Sequence, residues 1–198
     1  MFQRNASALR DAIEDSDSEK VRKLLKKRID INAKTGENKQ TFLMLAARFY
    51  RTPEIINLIL SHGPDVNMVD KSGMTALMHA CRRGFPTVYS LVACSRGKVK
   101  LEVRTDDDDC QTALMLAVRQ NDARSLHLLL DVGAQFEGEE FDLIINRRLY
   151  HPRYQDLDLV DEVRKMTLEE YASDVSYGNS KVLNTLLAFK RKKTGVFV

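Results

Sequence analysis

The chain has no tryptophan, and in 198 residues it has only four prolines, nine glycines and three cysteines. Cys81, Cys94 and Cys110 are odd in number and show no short pairing spacing. That pattern excludes a disulfide framework or a two-cysteine zinc knuckle and leaves reduced thiols. No apolar run approaches the roughly 20 residues needed to cross a bilayer, and MFQRNASALRDAIEDSDSEK at the start lacks the apolar stretch of a secretory signal. An intracellular, cytoplasmic protein with no membrane partner is expected, with KRKK at 190–193 as a candidate nuclear-import patch. The net charge of +3 does not by itself imply nucleic acid, because counterion release needs clustered cations.

The motifs of common catalytic sites are also absent. The chain contains no HExxH, no GxxxxGK[ST] phosphate loop and no GxGxxG. His62, His79 and His151 offer no zinc spacing with the cysteines. His79 lies two residues from Cys81, which does not place the pair on one helical face. His127, inside SLHLLL, reads as a partly buried core residue. The expectation is therefore no catalytic residue, no metal and no cofactor, and not an enzyme.

What the chain does have is 43% hydrophobic and 30% charged residues, the composition of a folded unit with a core, and a repeat. TFLMLAA begins at Thr41, TALMHAC at Thr75 and TALMLAV at Thr112, with spacings of 34 and 37 residues. SALRDAI at Ser7 puts Leu9 and Ala12 in the same register, 34 residues before Thr41. A degenerate copy, MTLEEYA, keeps Thr167 and Ala172 at a distance of 55 residues from Thr112. Each block precedes a second apolar segment at helical spacing. The stripes are Val21, Leu24 and Leu25; Ile56, Ile59 and Leu60; Tyr89, Val92 and Ala93; Leu126, Leu129 and Leu130; and Val182 with Leu186. Turn-like residues follow, with Gly63 and Gly133 suited to a left-handed helix end and Arg28 and Arg96 taking that place in other copies. Thr41, Thr75 and Thr112 are placed to cap the first helices, and the alanines five residues on let paired helices approach.

This pattern resembles the ankyrin repeat, in which a turn, a Thr-Pro-Leu-His-like helix, a short loop, a second helix and a further turn recur about every 33 residues. VDKSGMTALMHACRRGF matches it best, through Asp70, Gly73, Thr75, Leu77, Ala80 and Gly84, although no copy has the family's proline after Thr or histidine after Leu. The resemblance implies an all-α solenoid of about five helix-turn-helix units with β-hairpin-like loops. It implies one domain over 1–198, with units near 4–36, 37–70, 71–107, 108–136 and 163–190. An insertion at 137–162 separates the last two, and the acidic run Asp106 to Asp109 lengthens the hairpin of the fourth.

The resemblance also implies a function. Such stacks gather hairpin tips and first-helix ends on one concave face, where family members usually hold proteins. Matched residue by residue, the helix-end pairs are Glu14 and Asp15, Arg48 and Phe49, Arg82 and Arg83, Arg119 and Gln120, and Asp174 and Val175. The hairpin positions are Glu37, Asn38 and Gln40; Lys71, Ser72 and Met74; and Asp108, Asp109 and Gln111. The partner-binding set is therefore expected to be Arg48, Phe49, Lys71, Met74, Arg82, Arg83 and Arg119. Guanidinium forks can hold carboxylates, while Phe49 acts as an apolar anchor and an exposed Met74 as an adaptable contact. The implied ligand is an acidic protein segment, and the protein an adaptor or scaffold. Three alternatives stay open: solvated arginines paired with Glu14, Asp15 or the 106–109 run; nucleic acid on the basic stripe and tail; and a homodimer through the apolar insertion at 137–162.

Overall fold

A computed structural model describes residues 2–49, 53–95, 97–107, 110–135, 141–144, 163–166 and 180–194. The helices pair as α1 (Phe2–Glu14) with α2 (Ser18–Leu25), α3 (Phe42–Arg48) with α4 (Pro53–Leu60), α5 (Ala76–Arg83) with α6 (Phe85–Cys94), and α7 (Ala113–Arg119) with α8 (Ala123–Asp131). A further helix, α9 (Ser180–Thr194), packs on α8. First helices contact first helices in the order α1, α3, α5, α7, and second helices do the same from α2 to α9. On α9, Val182 and Leu186 are fully buried. The degenerate copy at Thr167 lies outside the described residues.

Each first helix starts because a threonine stops the chain in an extended conformation and caps it. The hydroxyls of Thr41, Thr75 and Thr112 accept the amides of Met44, Met78 and Met115 at 3.3, 3.3 and 3.4 Å. In return the sulfur of each methionine accepts the threonine amide, at 3.3, 3.4 and 3.3 Å. This is a capping box with a thioether where glutamate or glutamine is usual. These methionines stand where the family pattern has histidine. Leu43, Leu77 and Leu114 are 1%, 0% and 3% exposed, so each contributes about 1.5–3 kcal/mol of apolar burial. Ala46, Ala80 and Ala117 are buried as well, as close helix approach requires.

The units are also joined through their loops. The Asn32 side-chain oxygen accepts the Asp65 amide at 2.8 Å, that of Asn67 the Lys100 amide at 2.7 Å, and that of Glu102 the Gln135 amide at 2.9 Å. At the hairpin tips Lys71 N donates to Asn38 O at 3.0 Å and Asp106 N to Ser72 O at 2.9 Å. Gly73 sits beside the second of these links with φ +70°, and a Cβ there would lie 2.6 Å from the Asp106 nitrogen. Lys39 and Cys110, two residues before their threonines, take the same left-handed conformation without glycine.

Three local expectations are corrected. The core stripe of α6 is Val88 and Leu91, both 0% exposed, whereas Tyr89 is 54% exposed and Ala93 faces solvent. The reason is a shorter loop. Ser16–Asp17 and Asn121–Asp122 each place a left-handed residue before an aspartate N-cap, but Gly84 both ends α5 and begins α6, so the stripe moves back by one residue. After α2, Arg28 does not take the left-handed conformation expected of it; after α6 Gly97 does, with φ +74°, and Arg96 lies outside the described residues. His127 is exposed and its Nδ1 lies 2.8 Å from Asp131 Oδ2, because it occupies the solvent side of α8. Within and beyond the insertion, β1 (Phe141–Ile144) pairs antiparallel with β2 (Val163–Met166), Phe141 opposite Met166. This two-stranded ribbon adds to the helical stack, and the remainder of 137–162 lies outside the described residues.

Candidate partner-binding face

The last residue of α3 and α7 and the penultimate one of α5 is an arginine, and each guanidinium reaches back to the residue just before its helix cap. Arg48 Nη1 donates to Gln40 Oε1 at 3.2 Å, and Arg119 Nη1 to Gln111 Oε1 at 3.3 Å. Arg82 Nη1 lies 3.9 Å from the Met74 sulfur. Gln40, Met74 and Gln111 are 4%, 8% and 3% exposed. Met74 is therefore not the exposed, adaptable contact that its hairpin position suggested. It and the two glutamines form a floor beneath the arginines, because the residue before the cap turns inward as the chain enters the helix.

Arg48, Arg82 and Arg83 are exposed, Arg119 is partly so, and Lys71 is exposed at the hairpin tip. Phe49 is half-buried against the core and the Arg48 guanidinium covers its ring at 5.2 Å, so the anchor carries a cation on one face. No ion pair among the described residues involves Arg48 or Arg82, and Glu14 lies instead by Arg10 at 3.8 Å. Asp108, Asp109, Asp174 and Val175 lie outside the described residues. Cations in the last helical turn also complement the helix dipole.

One buried polar group ties this face together. Asp70 Oδ2 accepts His79 Nε2 at 2.9 Å and Gln40 Nε2 at 3.2 Å, while Oδ1 accepts the amides of Ser72 and Met74 at 2.9 and 3.1 Å. All four acceptor positions of the carboxylate are filled. Burial pushes the Asp70 carboxyl up, but these hydrogen bonds, led by that from His79, outweigh it and hold the group below the ordinary carboxylate value. Burial lowers His79 below the ordinary imidazole value, against the pull of Asp70 and with Arg82 and Arg48 adding repulsion. Gln40 belongs to the hairpin before α3 and His79 to α5, so Arg48 is linked through Gln40 and Asp70 to the next unit. From the sequence, His79 stood only as a candidate for catalysis or zinc ligation. The readable signal for its place was an aspartate and a histidine flanking the same threonine. Burial, with the charge of Asp122, raises the Cys81 thiol far above its usual value and keeps it protonated.

A stack of helix pairs joined by hairpin tips defines a helical repeat protein. The family described as ankyrin repeats (3 copies) matches residues 9–98 and 43–140, and the chain belongs to this family. Over 77 residues it is 39% identical to a probable E3 ubiquitin-protein ligase, XBOS33, of Oryza sativa subsp. japonica, covering 39% of this chain and 14% of that protein. The E3 ubiquitin-protein ligase XBAT33 of Arabidopsis thaliana matches with the same identity and coverage. Over 120 residues it is 30% identical to palmitoyltransferase AKR1 of Lachancea kluyveri, covering 61% of this chain and 16% of that protein. The chain thus spans only 14–16% of the length of these relatives, and their enzymatic names describe them alone. Ankyrin repeats in general mediate protein–protein interaction and are not themselves catalytic.

Proposed function

We propose that the chain is a non-catalytic adaptor that holds an acidic segment of a partner protein along its hairpins and first-helix ends. The observation that carries this reading is the register of Arg48, Arg82 and Arg119, each resting on a buried side chain eight residues earlier in the sequence. Such support restricts long side chains before binding and so lowers the entropy lost on capturing a carboxylate. Arg83 and Lys71 extend the positive surface, and Phe49 supplies an apolar contact beside Arg48. Adjacent first helices are about 10 Å apart, so carboxylates spaced along one extended segment match three successive units.

The test is fluorescence anisotropy with peptides rich in Glu and Asp around a single Phe, using the wild-type chain and Arg82→Glu/Arg83→Glu. Circular dichroism must first show equal helicity. Charge reversal is expected to weaken binding by about tenfold or more. Equal affinity for both proteins, or equal binding of a lysine-rich control peptide, would sink the reading. Displacement of the peptide by RNA at lower concentration than by unlabelled peptide would favour nucleic acid instead.

A further inference from the structure

Helix α2 buries Val21, Leu24 and Leu25, and its solvent side carries Lys20, Arg22, Lys23, Lys26 and Lys27 at or just beyond the helix, followed by Arg28. All six cations are exposed. Arg22 is compensated, lying 2.6 Å from Glu54 and 3.8 Å from Glu19. The other five have no carboxylate within ion-pairing distance among the described residues. Asp17, the nearby acid at the start of the helix, uses its carboxylate to cap the Lys20 amide at 2.9 Å. A helix C-terminus presents only about half a negative charge, which cannot account for five unpaired cations. Retaining them together costs repulsion that an anionic surface would relieve.

We propose that this face of α2 docks on the anionic headgroups of a lipid bilayer, as a peripheral electrostatic contact. Several observations select that occupant. The eight-residue helix is about 12 Å long, short for a track along several nucleotides. No aromatic residue occurs between 3 and 41, so bases would find no stacking platform. Four of the six cations are lysines, mobile point charges suited to a fluid layer of phosphates more than to one fixed bidentate partner. The exposed side of α2 offers no large apolar side chain for insertion, which makes the contact salt-reversible. The neighbouring α4 contains no Lys or Arg, so the patch ends within one unit.

No described helix is long and apolar enough to cross a membrane, and peripheral contact requires none. The absence of a spanning run, on which the expectation of no membrane partner rested, therefore does not bear on it. The patch belongs to a second helix, whereas the arginine row ends the first helices, so the two surfaces are separate.

Co-sedimentation with phosphatidylserine-containing and purely phosphatidylcholine vesicles at low salt tests the proposal. Each basic residue near such a surface contributes roughly fivefold, so Lys23→Gln/Lys26→Gln/Lys27→Gln should lose about a hundredfold in affinity for the anionic vesicles. These exposed substitutions keep helix propensity, and circular dichroism checks the fold. Arg82→Glu/Arg83→Glu should bind vesicles as the wild type does, which separates this surface from the adaptor face. No sedimentation with anionic vesicles, equal loss in both variants, or no loss in the lysine variant would overturn the proposal. Tighter binding to duplex RNA than to vesicles at the same salt, abolished by the lysine variant, would overturn it in favour of nucleic acid.

Discussion

Methionine does two things at once in units two to four. Met44, Met78 and Met115 are 0%, 1% and 1% exposed, and each sulfur is the acceptor for the amide of the threonine that caps its helix. A leucine of similar volume keeps the packing but leaves that buried amide without a partner. Met115→Leu should therefore destabilise the protein by about 1 kcal/mol in urea unfolding, and Met115→Gln, which restores an acceptor for the Thr112 amide, should recover part of it. Equal stability of Met115→Leu and wild type would mean that the sulfur contact contributes nothing. The threonine half of this box was legible from sequence, since a hydroxyl before an apolar run has few other uses. The methionine half was not, because methionine within an apolar run signals only core.

Between elements, the joint that matters most is the one where Gln40, ahead of α3, meets Asp70 and His79 of the following unit. His79 is held below its ordinary value of 6.5, so at pH values between the two pKa values the unfolded chain binds more protons than the folded one. Its contribution to stability is thus fully present above 6.5 and lost as pH falls through the folded value. Asp70, depressed below 3.8, adds a second loss at lower pH. The melting temperature should decline as pH is lowered from 7 to 5, and less so in His79→Gln, which keeps a donor for Asp70; parallel pH profiles for the two proteins would refute the assignment. Helix pairing and the threonine register were readable because they repeat three times. The joint was not, because unit three alone has a histidine there: Leu45 and Leu116 hold the matching positions. The register of α6 escaped for another reason. FPTVYSLVAC is apolar on nearly every side, so its periodicity could not choose a face, and the loop shortened at Gly84 did.

Across the whole molecule, stability passes from unit to neighbouring unit, since first helices contact first helices and second helices contact second helices in chain order. Such a stack unfolds as one body only while every junction is stronger than the tendency of an end to open. Asn67 makes one junction visible: its side chain accepts the Lys100 amide at 2.7 Å and donates to the Lys98 carbonyl at 2.8 Å, joining the α3–α4 unit to the loop after α6. Asn67→Ala removes both bonds at a solvent-exposed edge and should cost about 1 kcal/mol, a small figure globally but concentrated at a single interface. Hydrogen exchange should then divide the chain, with protection falling in α1 to α4, the block left with two helix pairs, while α5 to α8 keep theirs. Asn32→Ala, one junction earlier, should loosen only α1 and α2, because the rest of the stack retains its links. A uniform loss across all helices in both variants would show instead that the stack opens as a single cooperative unit and that no junction is weak enough to separate it.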